Sequence, residues 1–224
     1  MDDASRAPAT AGLAWQGTLL DDAPAPRFEP LPGALVRHPL SRGAWVDHRP
    51  GWLLGSDGVL DELLALVPWR AERRRMYDRV VDVPRLVAWY GTGEPLPVAA
   101  LAEARRRLCA HYADELGEPF TSAGLCCYRD GRDSVAWHGD TIGRGATSDT
   151  MVAILSFGSP RALVLRERRQ GPGRPAPARR FLLGHGDLLV MGGSCQRTWE
   201  HAVPKTSAPV GPRISVQYRP AGVA

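Results

Sequence analysis

The chain has 224 residues, which fits one domain of moderate size, and 44 % of them are hydrophobic, enough to form a sizeable core. No apolar run approaches the ~20 residues of a membrane span, and Met1-Asp2-Asp3-Ala4 lacks the basic-then-apolar order of a secretory leader. A cytoplasmic protein with no membrane attachment is therefore expected, and its four cysteines (Cys109, Cys126, Cys127, Cys195) show neither zinc spacing nor a disulfide framework. The formal net charge of +4 leans toward an anionic partner such as nucleic acid. Arginine so outnumbers lysine that a bias in composition explains that charge equally well.

Residues 1–13 are Ala-rich and polar and read as a flexible tail. Ala34–Arg37 and Ala44–His48 read as short strands. Ser56-Asp57 is placed to cap an amphipathic helix carrying Leu60, Leu63, Leu64 and Val67, which Pro68 ends. A basic segment, Arg70–Arg75, leads to Met76-Tyr77, and Val83-Pro84-Arg85 with Trp89-Tyr90-Gly91 reads as strand and turn. Val98, Leu101, Leu108, Cys109, Tyr112 and Leu116 recur at helical spacing, which predicts one helix over Pro97–Leu116. From Thr121 the period becomes that of strands: Leu125–Tyr128, Ser134–His138, Met151–Phe157, Ala162–Arg166, Arg180–Leu183, Asp187–Met191 and Arg213–Tyr218. Gln170–Ala178 reads as a hairpin loop and Gly192-Gly193 as a turn. The fold class is mainly β, a sandwich or barrel with flanking helices.

The chemistry concentrates in His138-Gly139-Asp140, followed by His201, Arg213 and Arg219. Residues two apart on a strand project to the same side, so His138 and Asp140 can chelate one ion, with Trp137 turned the other way into packing. A second His completes a two-His, one-carboxylate set that leaves half an octahedron open, the arrangement of non-heme iron(II) oxygenases. His201 and His185, the latter in a Gly-His-Gly turn, compete as third ligand. Such iron sites draw electrons from a co-substrate. 2-Oxoglutarate would chelate the metal through one end and needs a cation at the other, where a guanidinium fork matches a carboxylate. Arg213, Ser215, Gln217 and Arg219 alternate along one strand and so share a face.

These residues, in this order, resemble the AlkB family of iron(II)- and 2-oxoglutarate-dependent dioxygenases. The likeness runs through Tyr128-Arg129-Asp130-Gly131 with Asp133 and Ser134, Trp137-His138-Gly139-Asp140, Ile154-Leu155-Ser156-Phe157-Gly158, His185-Gly186-Asp187-Leu188-Leu189-Val190-Met191, Trp199-Glu200-His201 and Arg213-Ile214-Ser215-Val216-Gln217-Tyr218-Arg219. Val83-Pro84-Arg85 and Tyr90-Gly91 extend it upstream, so that it covers about 140 residues.

The resemblance implies a double-stranded β-helix (jelly-roll) core over 121–224. An N-terminal extension and nucleotide lid would span 14–120, within a single domain over 14–224. It implies Fe(II) held by His138, Asp140 and His201 rather than His185, with O2 and 2-oxoglutarate as co-substrates. Arg213 would hold the distal carboxylate, helped by Tyr128; Arg219 would lie near the C1 carboxylate, with Ser215 and Cys126 also in the co-substrate site. The implied reaction is oxidative dealkylation of N-alkylated nucleobases in DNA or RNA, releasing the alkyl group as an aldehyde.

Trp89 and Tyr90 are candidates to stack on the base, Met76 and Tyr77 to act as a wedge, and Arg85, with Arg73, Arg74, Arg75 and Arg79, to contact phosphates. The chain departs from the family pattern at Cys126, where the family often has Asn. It departs again at Thr141-Ile142-Gly143-Arg144, where many members carry acids that touch the base. The short segment after Tyr90 implies that part of the lid hairpin is missing. A monomer with no obligate protein partner is expected. Two alternatives are a hydroxylase of the same chemistry acting on a small molecule and a catalytically silent damage-binding module; a zinc hydrolase is remote.

Overall fold

The computed structural model describes residues 25–76, 79–168 and 176–223, and the side chains of all of these except 73–82. In chain order the first elements are β1 (Arg27–Phe28), β2 (Val36–Pro39), β3 (Ala44–Arg49), β4 (Leu53–Leu54) and α1 (Asp57–Leu66). A long hairpin follows, β5 (Arg70–Met76) and β6 (Arg79–Tyr90), then α2 (Ala99–His111) and α3 (Ala113–Leu116). The remainder is β7 (Phe120–Tyr128), β8 (Val135–His138), β9 (Val152–Gly158), β10 (Arg161–Glu167), β11 (Arg179–Leu183), β12 (Leu188–Gly193), α4 (Cys195–Thr198), β13 (Trp199–Val203) and β14 (Arg213–Pro220).

Two antiparallel sheets result. One has eight strands in the order β2-β3-β12-β9-β14-β7-β6-β5, the other four in the order β11-β10-β13-β8, and β1 and β4 pair separately. This is the jelly-roll arrangement. The large sheet takes four of its strands from before residue 120, so the chain N-terminal to the motif-bearing half is built into the same sheet.

The reason lies in β9 and β14, both largely buried: β9 is a near-continuous apolar run with both faces covered, and β14 alternates an apolar face with a polar one. Alternation then sorts side chains between two cores. Ala153, Leu155 and Phe157 join Ile214, Val216 and Tyr218 in a cluster with Leu60, Leu63, Leu101 and Leu108 of the helices. Val152 and Ile154 face the other way, with Leu163, Leu165, Leu189, Met191 and Trp199, between the sheets. The Tyr218 hydroxyl donates to Leu101 O at 3.0 Å and ties α2 to the centre of the large sheet.

Several local expectations change. The basic segment Arg70–Met76 is a strand, paired with β6 across a break in register between Ala71 and Arg73. Pro84 falls within the β6 segment opposite that break, where its missing N–H costs no ladder bond. The hairpin therefore precedes Trp89-Tyr90 rather than following it. Ser56 does not cap α1 with its side chain; its buried hydroxyl bonds back to Leu53 O. The predicted helix over Pro97–Leu116 is two, broken at Tyr112.

That break serves a buried charge. Asp47 on β3 is fully buried and takes Arg37 Nε and Nη2, each at 2.7 Å, and the Tyr112 hydroxyl at 3.0 Å. Arg37 also grips Glu115 of α3 with both terminal nitrogens and lies 3.8 Å over the Trp45 ring. Among the described residues no helix is long and apolar enough to cross a membrane. Asp47→Ala, which strands Arg37 and Tyr112, is expected to destabilise the fold by about 3–5 kcal/mol in urea denaturation, whereas Glu115→Ala, at the exposed end, is expected to cost about 1 kcal/mol or less.

Candidate metal centre

β8 and β13 are neighbours in the small sheet, and their register makes His138 and His201 direct cross-strand partners. The imidazole centroids are 4.2 Å apart. Asp140 follows β8 by two residues and turns in beside them. Each of the three offers one ligand atom, all within 4.8 Å of one another, and this is the only such cluster of three or more among the described residues.

Each side chain is fixed for ligation. His138 Nδ1 lies 2.8 Å from Ala136 O. A carbonyl only accepts, so Nδ1 carries a proton and Nε2 is the ring nitrogen left to face a metal. His201 is buried, and burial together with the nearby His138 lowers its pKa to about 3, so it is a neutral donor at any ordinary pH. Burial alone would raise the Asp140 carboxyl, but Arg219 and the two imidazoles outweigh it and hold it below the usual carboxylate value. Arg219 Nε and Nη2 both sit 2.9 Å from Asp140 Oδ2. Oδ1, 3.8 Å from His138 Nε2, is the oxygen left for a metal. Two imidazole nitrogens and one carboxylate oxygen fit a ferrous ion with open positions.

The turn between the ligands is tightly packed. A Cβ on Gly139 would stand 2.6 Å from Gln196 O and 2.7 Å from Arg168 Nη2. Gln196 of α4 also accepts the Asp140 backbone N–H at 3.1 Å.

Six residues before Arg219, on the same face of β14, stands Arg213, only 1 % exposed. Its Nε donates to Ser156 Oγ at 3.0 Å, its guanidinium carbon is 5.2 Å from the Tyr128 ring centre, and its Nη1 is buried with no partner. A buried cationic N–H left without an acceptor is costly. A carboxylate supplied from outside completes it, so these residues fit the distal end of 2-oxoglutarate. Between Arg213 and Arg219 on the same face, Gln217 Nε2 donates to Ser215 Oγ, and the Cys126 thiol is 3.9 Å from Gln217 Oε1.

A cavity of about 520 Å³ opens beside Arg219, walled by Arg70, Arg85, Trp89, Tyr90 and Cys126. Of the sequence candidates, Arg219 stands on Asp140, and Arg85 is part of the cavity wall, donating to Ser134 O at 3.4 Å. Ile142 is 74 % exposed and lines a neighbouring cleft instead of the main cavity. Trp137 is not packed inward; it is 38 % exposed, with Arg166 stacked 4.2 Å over its ring. His185 accepts the Gly158 backbone N–H at 2.8 Å and stands apart from the triad. Tyr77 and the side chains of Met76, Arg73, Arg74, Arg75 and Arg79 lie outside the described residues. Sequence reasoning missed Ser156 and Gln196. The signal for Ser156 was available, since it is the one polar side chain in the wholly buried strand Val152–Gly158.

Comparison with known proteins agrees with this geometry. The family model of the 2OG-Fe(II) oxygenase superfamily matches residues 57–219. The human alpha-ketoglutarate-dependent dioxygenase alkB homolog 3 is 32 % identical over 180 residues, covering 73 % of this chain and 61 % of that protein. Human DNA oxidative demethylase ALKBH2 is 28 % identical over 161 residues, covering 66 % and 60 %. A solved prolyl hydroxylase of Trichoplax adhaerens, in complex with a hypoxia inducible factor peptide, superposes with a TM-score of 0.54 at 17 % identity, over 80 % of this chain and 84 % of its own, a likeness of fold. The chain belongs to the 2OG-Fe(II) oxygenase superfamily and, within it, to the AlkB family. It spans a little over 60 % of the length of the AlkB homolog 3 relatives it matches. Family membership implies Fe(II), 2-oxoglutarate and O2 as its cofactor and co-substrates.

Two outcomes follow for the metal-free protein. The folded state keeps His201 neutral down to about pH 3, while the unfolded chain protonates it near 6.5. The unfolded state therefore binds the extra proton between these values, and stability falls as pH drops from about 6.5 toward 3; chemical denaturation across that range should show the loss, and His201→Gln should flatten it. Gly139→Ala should shift the ligand turn, lowering Mn(II) affinity in calorimetry by about 10–100-fold with circular dichroism unchanged.

Proposed function

We propose that this chain is an Fe(II)- and 2-oxoglutarate-dependent dealkylase of N-alkylated nucleobases in DNA or RNA. The observation that carries the reading is the His138–Asp140–His201 cluster joined through Asp140 to Arg219, on the strand and face that also carry Arg213 with its buried unpaired N–H. A cavity with Trp89 and Tyr90 in its lining opens beside Arg219. The activity in the names of the alkB homolog 3 and ALKBH2 relatives supports it.

His138, Asp140 and His201 would hold the iron, with Arg219 steering Asp140 to bind through Oδ1. Arg213 would receive the distal carboxylate of 2-oxoglutarate on Nη1, with Ser156 and Tyr128 fixing the guanidinium plane. When bound, iron with 2-oxoglutarate and dioxygen supplies oxidative decarboxylation to succinate and hydroxylation of an alkyl C–H bond. The hydroxylated N-alkyl group is a hemiaminal and falls apart to an aldehyde and the free base without further help from the protein. Trp89 and Tyr90 offer flat surfaces for a base that has left its stack, and Arg70 and Arg85 are the phosphate-binding candidates in a cavity lining that also holds Glu72 and Glu94.

The test is mass spectrometry of methylated and etheno-modified oligonucleotides and of the matching free nucleosides, after incubation with ferrous iron, ascorbate and 2-oxoglutarate. Repair of oligonucleotides with release of aldehyde, abolished by His138→Ala and inhibited by added salt, is expected. Succinate formation with small N-methylated compounds but no change in any oligonucleotide would replace the nucleic-acid reading with a small-molecule one.

A further inference from the structure

Arg161 opens β10 and is 3 % exposed, yet among the described residues no carboxylate pairs with it. Its three bonds go to backbone carbonyls: Nη1 to Asp130 O at 2.9 Å, and Nη2 to Asp133 O and Pro204 O, both at 2.8 Å. The nearby Asp133 carboxylate is already taken by the backbone N, Nε and Nη2 of Arg129. Neutral donors could satisfy carbonyls without the cost of burying a charge, so the bonds alone do not account for an arginine.

Its aromatic neighbour does. The Arg161 guanidinium carbon is 5.7 Å from the centre of the Tyr128 ring, and that of Arg213 is 5.2 Å from the same centre. One buried phenol thus has two buried guanidinium groups as neighbours, neither paired with a carboxylate, no more than about 11 Å apart. Two like charges in a desolvated site repel each other, and an anion placed against Arg213 relieves both. We infer that Arg161 is a positioning residue of the co-substrate site: its charge, acting across Tyr128, makes the site selective for a 2-oxo acid that carries a second carboxylate. The inference rests on the reading of Arg213 as the anchor of 2-oxoglutarate.

The experiment is calorimetric titration of Mn(II)-loaded protein with 2-oxoglutarate and with 2-oxopentanoate, which has a methyl in place of the distal carboxylate. Arg161→Gln keeps an amide donor for the carbonyls and loses the charge; Arg161→Lys keeps the charge and loses the fork. Gln is expected to weaken 2-oxoglutarate by about tenfold, the effect of one charge at about 10 Å with an effective dielectric near 20, and to leave 2-oxopentanoate within about twofold. Lys is expected to retain most of the preference. Arg129→Gln, at a half-exposed position, frees the Asp133 carboxylate to offset Arg161 and should weaken 2-oxoglutarate selectively with Arg161 untouched. Equal loss for both acids in Arg161→Gln would make the residue a loop clasp and overturn the inference, as would unchanged 2-oxoglutarate affinity in either Gln variant. Should Arg161→Gln not fold, the Arg129→Gln result decides alone. Arg213→Met separates the two readings: if it binds 2-oxoglutarate as the parent does, the anchor itself is wrong.

Discussion

The site depends on the register of one strand. β14 lies between β7 and β9, with Arg213 opposite both Tyr128 and Gly158, and Ser215 opposite both Cys126 and Ser156. A slip of one residue would turn Arg213 and Arg219 into the helix-facing core and put Ile214 and Tyr218 on the site. Ile214, Val216 and Tyr218, all fully buried against the helices, and the Tyr218 hydroxyl on Leu101 O, are what forbid the slip. The apolar face of the strand therefore sets where both arginines stand, and burial energy is converted into the position of two charges.

Those charges are arranged before any ligand arrives. Asp140 is buried but remains ionised because Arg219 occupies one of its oxygens, which also leaves the other free. The two imidazoles are held in different ways, His201 kept neutral by burial and His138 oriented by its Nδ1 bond to Ala136 O. At the other end the imbalance is left open, with Arg213 Nη1 lacking an acceptor and Arg161 hydrogen-bonded to backbone carbonyls. Completed at one end and open at the other, this arrangement would take a metal ion and a dicarboxylic acid together.

Much of this was legible in the sequence, for identifiable reasons. His138 and Asp140 are two residues apart, a spacing that reads as one site from sequence, although Asp140 reaches it from the turn after β8 and not from the strand itself. The alternation of Arg213, Ser215, Gln217 and Arg219 fixed their common face through strand geometry. Residues whose role is set by distant chain were not legible. Gln196 matters because α4 packs on the ligand turn, and Arg161 because Pro204 and the loop after β7 converge on it. β13 is five residues with Glu200 and His201 near its start, too short and too polar to announce a strand. The break at Tyr112 is invisible to helical periodicity because its cause is Asp47, which sits 65 residues away in sequence.

The most direct measurement is a crystal structure of the protein grown anaerobically with Mn(II) and 2-oxoglutarate, with the ion located by its anomalous scattering. One ion bonded to His138 Nε2, Asp140 Oδ1 and His201, and the distal carboxylate of 2-oxoglutarate on Arg213 Nη1, is the predicted result. An ion held by other residues, or a carboxylate that leaves Arg213 Nη1 without an acceptor, would contradict the account.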